Sequence, residues 1–244
     1  MPFNIHTWAE LKDDFQEALL LGNGASIAVS PLFSYSSLLE HAIEKRLLAP
    51  DAQSLFDFFD THDFELILRI VWQASNVNRA LNIDDHRTHE AYVRVRDSLI
   101  EAVQSVHPEY PEVREHLPQI YNFLKRFNTV VSLNYDLIVY WATTHGLEIR
   151  DGHAFKDCFV GQGILHENWE SMRRPIRAER SATLVFYPHG NLILCRNRRE
   201  EERKIHNLRD GLLDAILERW RSEEFVPLFV SEGTSPQKNY LHSE

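Results

Sequence analysis

The hydrophobic and polar positions divide the chain into a short apolar run, a long helical stretch and a strand-rich second half. Thr7-Trp8-Ala9-Glu10 has the spacing of a capping box and predicts a helix to about Phe15. Next comes Ala18-Leu19-Leu20-Leu21, which stops at two glycines in the stretch EALLLGNGASIAVSP. Four apolar residues do not by themselves separate strand from helix, but the abrupt glycine stop favours a buried strand. From Ser36 to Phe127 the apolar residues recur at helical spacing: Leu38, Leu39, Ile43 and Leu47; Phe64, Ile67, Leu68 and Val71; Tyr92, Val95, Leu99, Val103 and Val106; Ile120, Phe123, Leu124 and Phe127. All four stripes read as core. Pro108, Pro111 and Pro118 punctuate the last junction.

The period then changes. Thr129-Val130-Val131-Ser132-Leu133 is β-branched and short, a buried strand, and is followed by Asn134-Tyr135-Asp136 and a helix from about Leu137 to His145. Residues 151–181 carry Gly152, Gly161, Gly163 and Pro175 with little periodicity, which predicts a long loop able to act as a lid. Thr183 to Tyr187 reads as a strand ending in Pro188-His189-Gly190, and Asn191 to Cys195 as another. Leu212, Leu213, Ile216, Leu217 and Trp220 mark a helix, Phe225 to Val230 a last strand, and residues 231–244 a flexible tail. Strands alternating with helical blocks predict an α/β fold. The expected architecture is a Rossmann-like parallel sheet flanked by helices, with a large helical insertion (residues 35–127) between the first two strands, all in a single domain of residues 1–244.

Ligands of parallel α/β sheets sit beyond the C-terminal ends of the strands. Gly22–Ser26, Asn134–Asp136 and His189–Gly190 each fall at such an end, so neighbouring strands would bring them to one crevice. Glycines at a strand-to-helix turn let backbone N–H groups approach an anion, and a helix N-terminus adds partial positive charge. A plain tight turn explains the same glycines. Asn134 or Asp136 could equally cap the next helix, and His189 could be a hydrogen-bonded turn residue. An ordinary dehydrogenase fingerprint is excluded. Ile27 stands at its third glycine position, and the region about 20 residues on looks helical rather than ending an acidic strand.

Composition narrows the choice further. The 244 residues are 43% apolar and 25% charged, enough for one sizeable core. Twenty-six basic against 36 acidic residues give a net charge of −10, which argues against broad nucleic-acid binding. The arginine-rich run at residues 172–180 is a local exception that reads as a solvated loop. Cys158 and Cys195 form no CxxC pair, and His86 and His89 have helical ligand spacing with no third ligand, so no metal site is expected. No apolar run reaches the roughly 20 residues of a membrane span, and the start MPFNIHTWAELKDDF lacks the form of a secretory signal. A cytoplasmic protein is the expectation.

Taken in order, GNGAS (22–26), LNYD (133–136) and PHG (188–190) resemble the motifs of the sirtuin-like superfamily across about residues 16–235. The resemblance is nearest to bacterial sirtuin-like proteins of phage defence. The chain departs from the protein deacylases. It cannot build their four-cysteine zinc module, and Leu133 stands where they usually carry Gln. The resemblance implies that NAD is the substrate, that no metal is used, and that the nicotinamide–ribose bond is cleaved. It assigns Gly22, Asn23, Gly24, Ala25 and Ser26 to the pyrophosphate, Asp136 to the nicotinamide amide, Asn134 to the attacking water or ribose, and His189 to a ribose hydroxyl and general-base role. Phe33 or Tyr35 would wall the nicotinamide pocket unless they serve the core. Relatives continue into a further helix and strand, so the resemblance leaves two expectations open, a C-terminally shortened relative or one part of a split system whose last element another chain supplies, with Thr234 and Ser235 as candidate ribose contacts. An NAD-depleting effector needs restraint, which implies a homo-oligomer or a regulatory protein partner. The alternatives are a non-catalytic module binding NAD or ADP-ribose and, further off, an NAD-dependent deacylase.

Overall fold

The computed structural model describes residues 6–34, 37–161, 163–197, 202–205, 211–222 and 225–229. The chain runs α1 (Trp8–Leu11), β1 (Ala18–Leu21), α2 (Asn23–Ile27), α3 (Leu38–Glu44), α4 (Pro50–Phe59), α5 (Phe64–Ala80), α6 (Arg87–Val106), α7 (Tyr110–Val113), α8 (Leu117–Leu124), β2 (Thr129–Ser132) and α9 (Ile138–Ile149). It continues through β3 (His153–Lys156), β4 (Phe159–Val160), β5 (Ile164–Leu165), β6 (Ser181–Phe186), β7 (Gly190–Asn197), β8 (Glu202–Lys204), α10 (Leu212–Arg221) and β9 (Phe225–Phe229), with 3-10 turns at Pro31–Phe33 and Trp169–Arg173.

Four strands form a parallel sheet in the order β1-β2-β6-β3, flanked by helices, which is consistent with a Rossmann-like fold. Leu19 pairs with Val130 and Val130 with Val185, so these three point to one face, where Val130 and Val185 are buried. Tyr121 of α8 meets Phe155 of β3 edge-on at 5.5 Å on the same side. Between β1 and β2, after α2, the described residues form six further helices, α3 to α8, in the stretch that reads as helical from sequence. Their hub is α6, which touches α3, α4, α5 and α10. Its stripe Tyr92, Val95, Leu99, Val103 and Val106 is buried along its whole length, each side chain contributing roughly 1.5–3 kcal/mol of transfer free energy.

Several expectations need correction. The first helix stops at Leu11, well before Phe15. Glu10 does reach back to the Thr7 N–H at 2.7 Å, but Asp13 then pairs with Arg126 at 3.0 Å and the chain turns so that Gln16 and Glu17 offer their carbonyls to Asn128 and Thr129. The last strand does not join the parallel sheet. β9 pairs antiparallel with β7, and β7 with β8, in a separate three-stranded sheet. Residues 151–181 are not structureless. They hold the edge strand β3, the β4–β5 hairpin and a 3-10 turn. That turn is pinned to the sheet face opposite Val130: Trp169 meets Phe186 at 5.3 Å, Arg173 donates to Thr129 Oγ1 at 2.9 Å, and Lys156 Nζ donates to the carbonyl of Arg174 at the end of the turn at 2.9 Å. The candidate tail at 231–244, with Thr234 and Ser235, lies outside the described residues, as does Tyr35.

Among the described residues no helix is long and apolar enough to cross a membrane, and no group of three or more His, Cys, Asp or Glu could hold a metal ion.

Helices α8 and α9 approach closely because Gly146 of α9 faces the ring of Tyr121, where a Cβ would collide with the ring carbons. Tyr121 is itself held by Asp151, which accepts from its hydroxyl at 2.7 Å. G146A is therefore expected to cost about 1–3 kcal/mol, read as a lower midpoint in denaturant unfolding, because the added methyl group must displace a buried, hydrogen-bonded ring.

Candidate functional site

The strand order makes β1, β2 and β6 consecutive neighbours, so the three turns that leave their C-terminal ends are side by side. Leu21 pairs with Ser132 and Val131 with Phe186, and that register continued by one residue sets Tyr187 level with Ser132. Asn134 and His189 thus each stand two residues past the same level on adjacent strands. Beyond β1, Gly22 keeps an extended backbone (φ −107°) and opens the single turn of α2. Ala25 N–H donates to the Gly22 carbonyl at 3.0 Å, and Ala28 N–H to that of Gly24 at 3.1 Å. With five residues, α2 brings an anion local N–H groups rather than the dipole of a long helix.

Neither Gly22 nor Gly24 adopts the left-handed region, and a Cβ built on either meets nothing within 4 Å. Backbone conformation and packing among the described residues therefore do not require glycine at these positions. The space in front of both is open to a ligand that needs close approach to the backbone.

A chain of hydrogen bonds joins the first two turns. Asn134 Nδ2 donates to the Gly22 carbonyl at 3.0 Å and to Ser26 Oγ at 2.7 Å. The Ser26 hydroxyl, which accepts from Asn134, donates its own proton to Asp136 Oδ2. Asp136 Oδ1 accepts from Ile138 N–H at 2.8 Å and so caps the start of α9. Ser26, Asn134 and Asp136 are all buried. Burial pushes the Asp136 carboxyl up, opposed by the Ser26 hydroxyl and the Ile138 amide. Because both hydrogens of the Asn134 amide are committed, the orientation of that side chain is fixed. Among the described residues none donates to its Oδ1, which leaves an acceptor for a ligand or water on a residue that lines the cavity described below.

The other candidates fall around this chain. Asn23 turns its side chain back to the Phe33 carbonyl at 3.2 Å, and Ala25 lines a cavity beside Ser26. Phe33 is 1% exposed and belongs to the core, so it does not wall a pocket. His189 is half-buried in the turn between β6 and β7, where Gly190 adopts a positive φ of 73° and donates its N–H to the Tyr187 carbonyl at 2.9 Å. The structure brings Gly22, Ser26, Asn134 and Asp136 into direct contact, with His189 on the neighbouring turn.

A cavity of about 310 Å³ opens between α2, α8 and α9, with Ser26 and Asn134 in its lining. Ala25 and Val29 contribute from the α2 side, and Ile120 and Phe123 from α8. That volume is at the low end of small-molecule sites and suits one ring rather than a whole dinucleotide. Asp136 stands one hydrogen bond behind Ser26.

Sequence reasoning missed three contributions. Ile120 and Phe123 read as core because a helical stripe carries no mark of which neighbour it faces. Asn191 follows the PHG triplet directly. It is fully buried and donates to the Asp136 carbonyl at 2.6 Å, while Leu192 N–H donates to the Tyr135 carbonyl at 2.8 Å. β7 thereby buttresses the Asn134–Asp136 turn. The third is His107, buried at the end of α6, whose Nε2 accepts from Leu137 N–H at 3.0 Å. Its signal was a histidine placed directly before the proline that ends a helical stripe.

Compared with known proteins, residues 19–242 match the family model described as Domain of unknown function (DUF4917). The comparison with curated proteins gave no match.

Burial lowers the His107 pKa from 6.5 to about 4, with the Pro108 carbonyl opposing the shift. The folded protein therefore binds fewer protons than the unfolded chain between these values. The stability this residue protects is complete above about pH 6.5 and is lost as pH falls toward about 4, roughly 3 kcal/mol in all. Thermal unfolding at about pH 7 and about pH 5 should show the wild type losing more stability on acidification than H107Q, which has no imidazole to protonate.

Proposed function

We propose that this chain, which belongs to the DUF4917 family, is an NAD glycohydrolase that cleaves the nicotinamide–ribose bond to give nicotinamide and ADP-ribose. The observation that carries the reading is the hydrogen-bonded chain from Gly22 through Asn134 and Ser26 to Asp136, which ties two strand-end turns together beside a ring-sized cavity. The motif order GNGAS, LNYD and PHG supports the same reading by resemblance to sirtuin-like proteins. In that comparison the helices between β1 and β2 are an insertion, and the whole chain is one catalytic domain.

The chemistry asks little of a proton donor. The C–N bond breaks with its electron pair going to the pyridinium nitrogen, so nicotinamide leaves neutral and an oxocarbenium-like ribose remains. Water then adds to that carbon and gives up one proton. Asn134 Oδ1 is an acceptor fixed in place before substrate arrives, suited to hold the water or a ribose hydroxyl. His189, on the adjacent turn, takes the proton. Gly22 to Ser26 receive the pyrophosphate on exposed backbone, with Gly22 and Gly24 allowing it to approach. Asp136 keeps the Ser26 hydroxyl oriented and, with Ser26, presents a polar end to the nicotinamide amide. No step calls for a metal. Uncontrolled, such an enzyme would empty a cell of NAD, which fits an effector of anti-phage defence held silent in the cytoplasm by self-association or a partner protein.

A second reading, a module that binds NAD or ADP-ribose without turnover, is favoured by one feature. Ser26 and Asp136 satisfy each other within the chain. It predicts ligand-dependent thermal stabilisation with no nicotinamide released.

Incubating the protein with NAD, alone and with any protein encoded beside it, and following nicotinamide decides between the two. N134A and H189A should each slow release by about 10²–10³-fold, the usual effect of removing one preorganised polar group. Full rates in both variants would remove the mechanism. G24A should weaken NAD binding while leaving the thermal midpoint unchanged or higher, because Ala favours a helix over Gly by about 1 kcal/mol and the site has room for its methyl group. Undiminished binding in G24A would count against pyrophosphate at that turn.

A further inference from the structure

The chemistry proposed above needs the Asn134 amide and the Asp136 carboxyl held still, yet both sit on a turn of non-repetitive backbone. What fixes that turn from beneath is a residue of the helical region. His107 follows the last residue of α6 and is 4% exposed. An amide N–H can only donate, so the Nε2 that faces Leu137 N–H at 3.0 Å carries a lone pair. The ring proton is then on Nδ1, which donates to the Pro108 carbonyl at 2.8 Å. Both nitrogens are committed and one neutral tautomer is selected.

Leu137 immediately precedes α9, and the N–H groups at a helix start have no partner within the helix. Asp136 Oδ1 takes that of Ile138 and His107 takes that of Leu137. The ring also touches the backing of the other turn. Phe33 meets it edge-on at 5.5 Å, and the Phe33 carbonyl accepts from Asn23 within the glycine turn. Trp141 of α9 closes a further side at 5.4 Å.

We propose that His107 is a positioning residue of the site, setting Asn134 and Asp136 through the Leu137 amide and linking both strand-end turns to the hub helix α6. The proposal rests on the assignment of those two residues to the site. It also gives the helical region a route to the chemistry: a displacement of the end of α6 moves the imidazole and, with it, the turn.

Two conservative variants separate this role from packing. In H107Q the side-chain carbonyl falls near the Nε2 position and keeps an acceptor for Leu137. In H107N the amide reaches only the Nδ1 position, keeps the donor to Pro108 and leaves Leu137 N–H without a partner. Both lose ring volume. H107N is expected to lower kcat for nicotinamide release by about 10²-fold with little change in KM, and to speed exchange of the Leu137 amide. H107Q should retain most of both properties. Equal losses in the two variants, or unchanged Leu137 exchange in H107N, would overturn the proposal. If the wild type neither binds nor cleaves NAD, the enzymatic reading fails, and Leu137 exchange together with the Asn134 side-chain amide resonance still decides the role of His107. Should H107N fail to fold, nitrogen chemical shifts of His107 in the wild type serve instead. A Nδ1–H tautomer with a hydrogen-bond coupling to Leu137 supports the positioning role, and a Nε2–H tautomer ends it.

Discussion

The arrangement depends on one side-chain amide. Asn134 gives both of its hydrogens to the glycine turn, one to the Gly22 carbonyl and one to Ser26 Oγ, and in doing so joins the loops leaving β1 and β2. The direction of every later bond follows. Ser26, having accepted from Asn134, donates to Asp136, and Asp136 is left to receive Ile138 and cap α9. Reversing any one member would leave two donors or two acceptors face to face in a buried site. The parallel sheet makes this possible because its register delivers Leu21 and Ser132 to the same level.

Around that amide the molecule is built in shells drawn from distant parts of the sequence. Asn191 and Leu192 hold the turn from β7, and His107 holds it from α6. Such bracing favours a preorganised site over one assembled on binding. On the open side the same site has little of its own structure: two glycines with none of the described residues within 4 Å of the position a Cβ would take, an acceptor oxygen on Asn134 and a cavity of ring size. The division between a rigid back and an open front is what a small-molecule site requires.

The strand ends were legible in the sequence because each is marked by residues with a distinct backbone role, Gly22 and Gly24, Asn134 and Asp136, Pro188 to Gly190. Their convergence followed from the parallel order alone. The helical stripes were legible too, since α6 buries the residues its spacing predicts. What escaped was whatever lacks a repeating signal. β3 has four residues and β4 and β5 two each, too few for alternation to be seen. β9 reads as an apolar strand in either sheet, and only its pairing with β7 assigns it. His107 and Asn191 are single polar residues whose partners are backbone groups tens of residues away, a relation that spacing cannot encode.

The central claim is that the glycine turn, the Asn134 turn and the His189 turn face one nucleotide. It is tested most directly by titrating isotope-labelled protein with ADP-ribose and following the Gly22 and Gly24 backbone amides, the Asn134 side-chain amide and the His189 ring by nuclear magnetic resonance. The account predicts that all four respond together and saturate at the same ligand concentration. Responses confined to another surface, or a glycine turn that stays silent while ligand binds elsewhere, would contradict it.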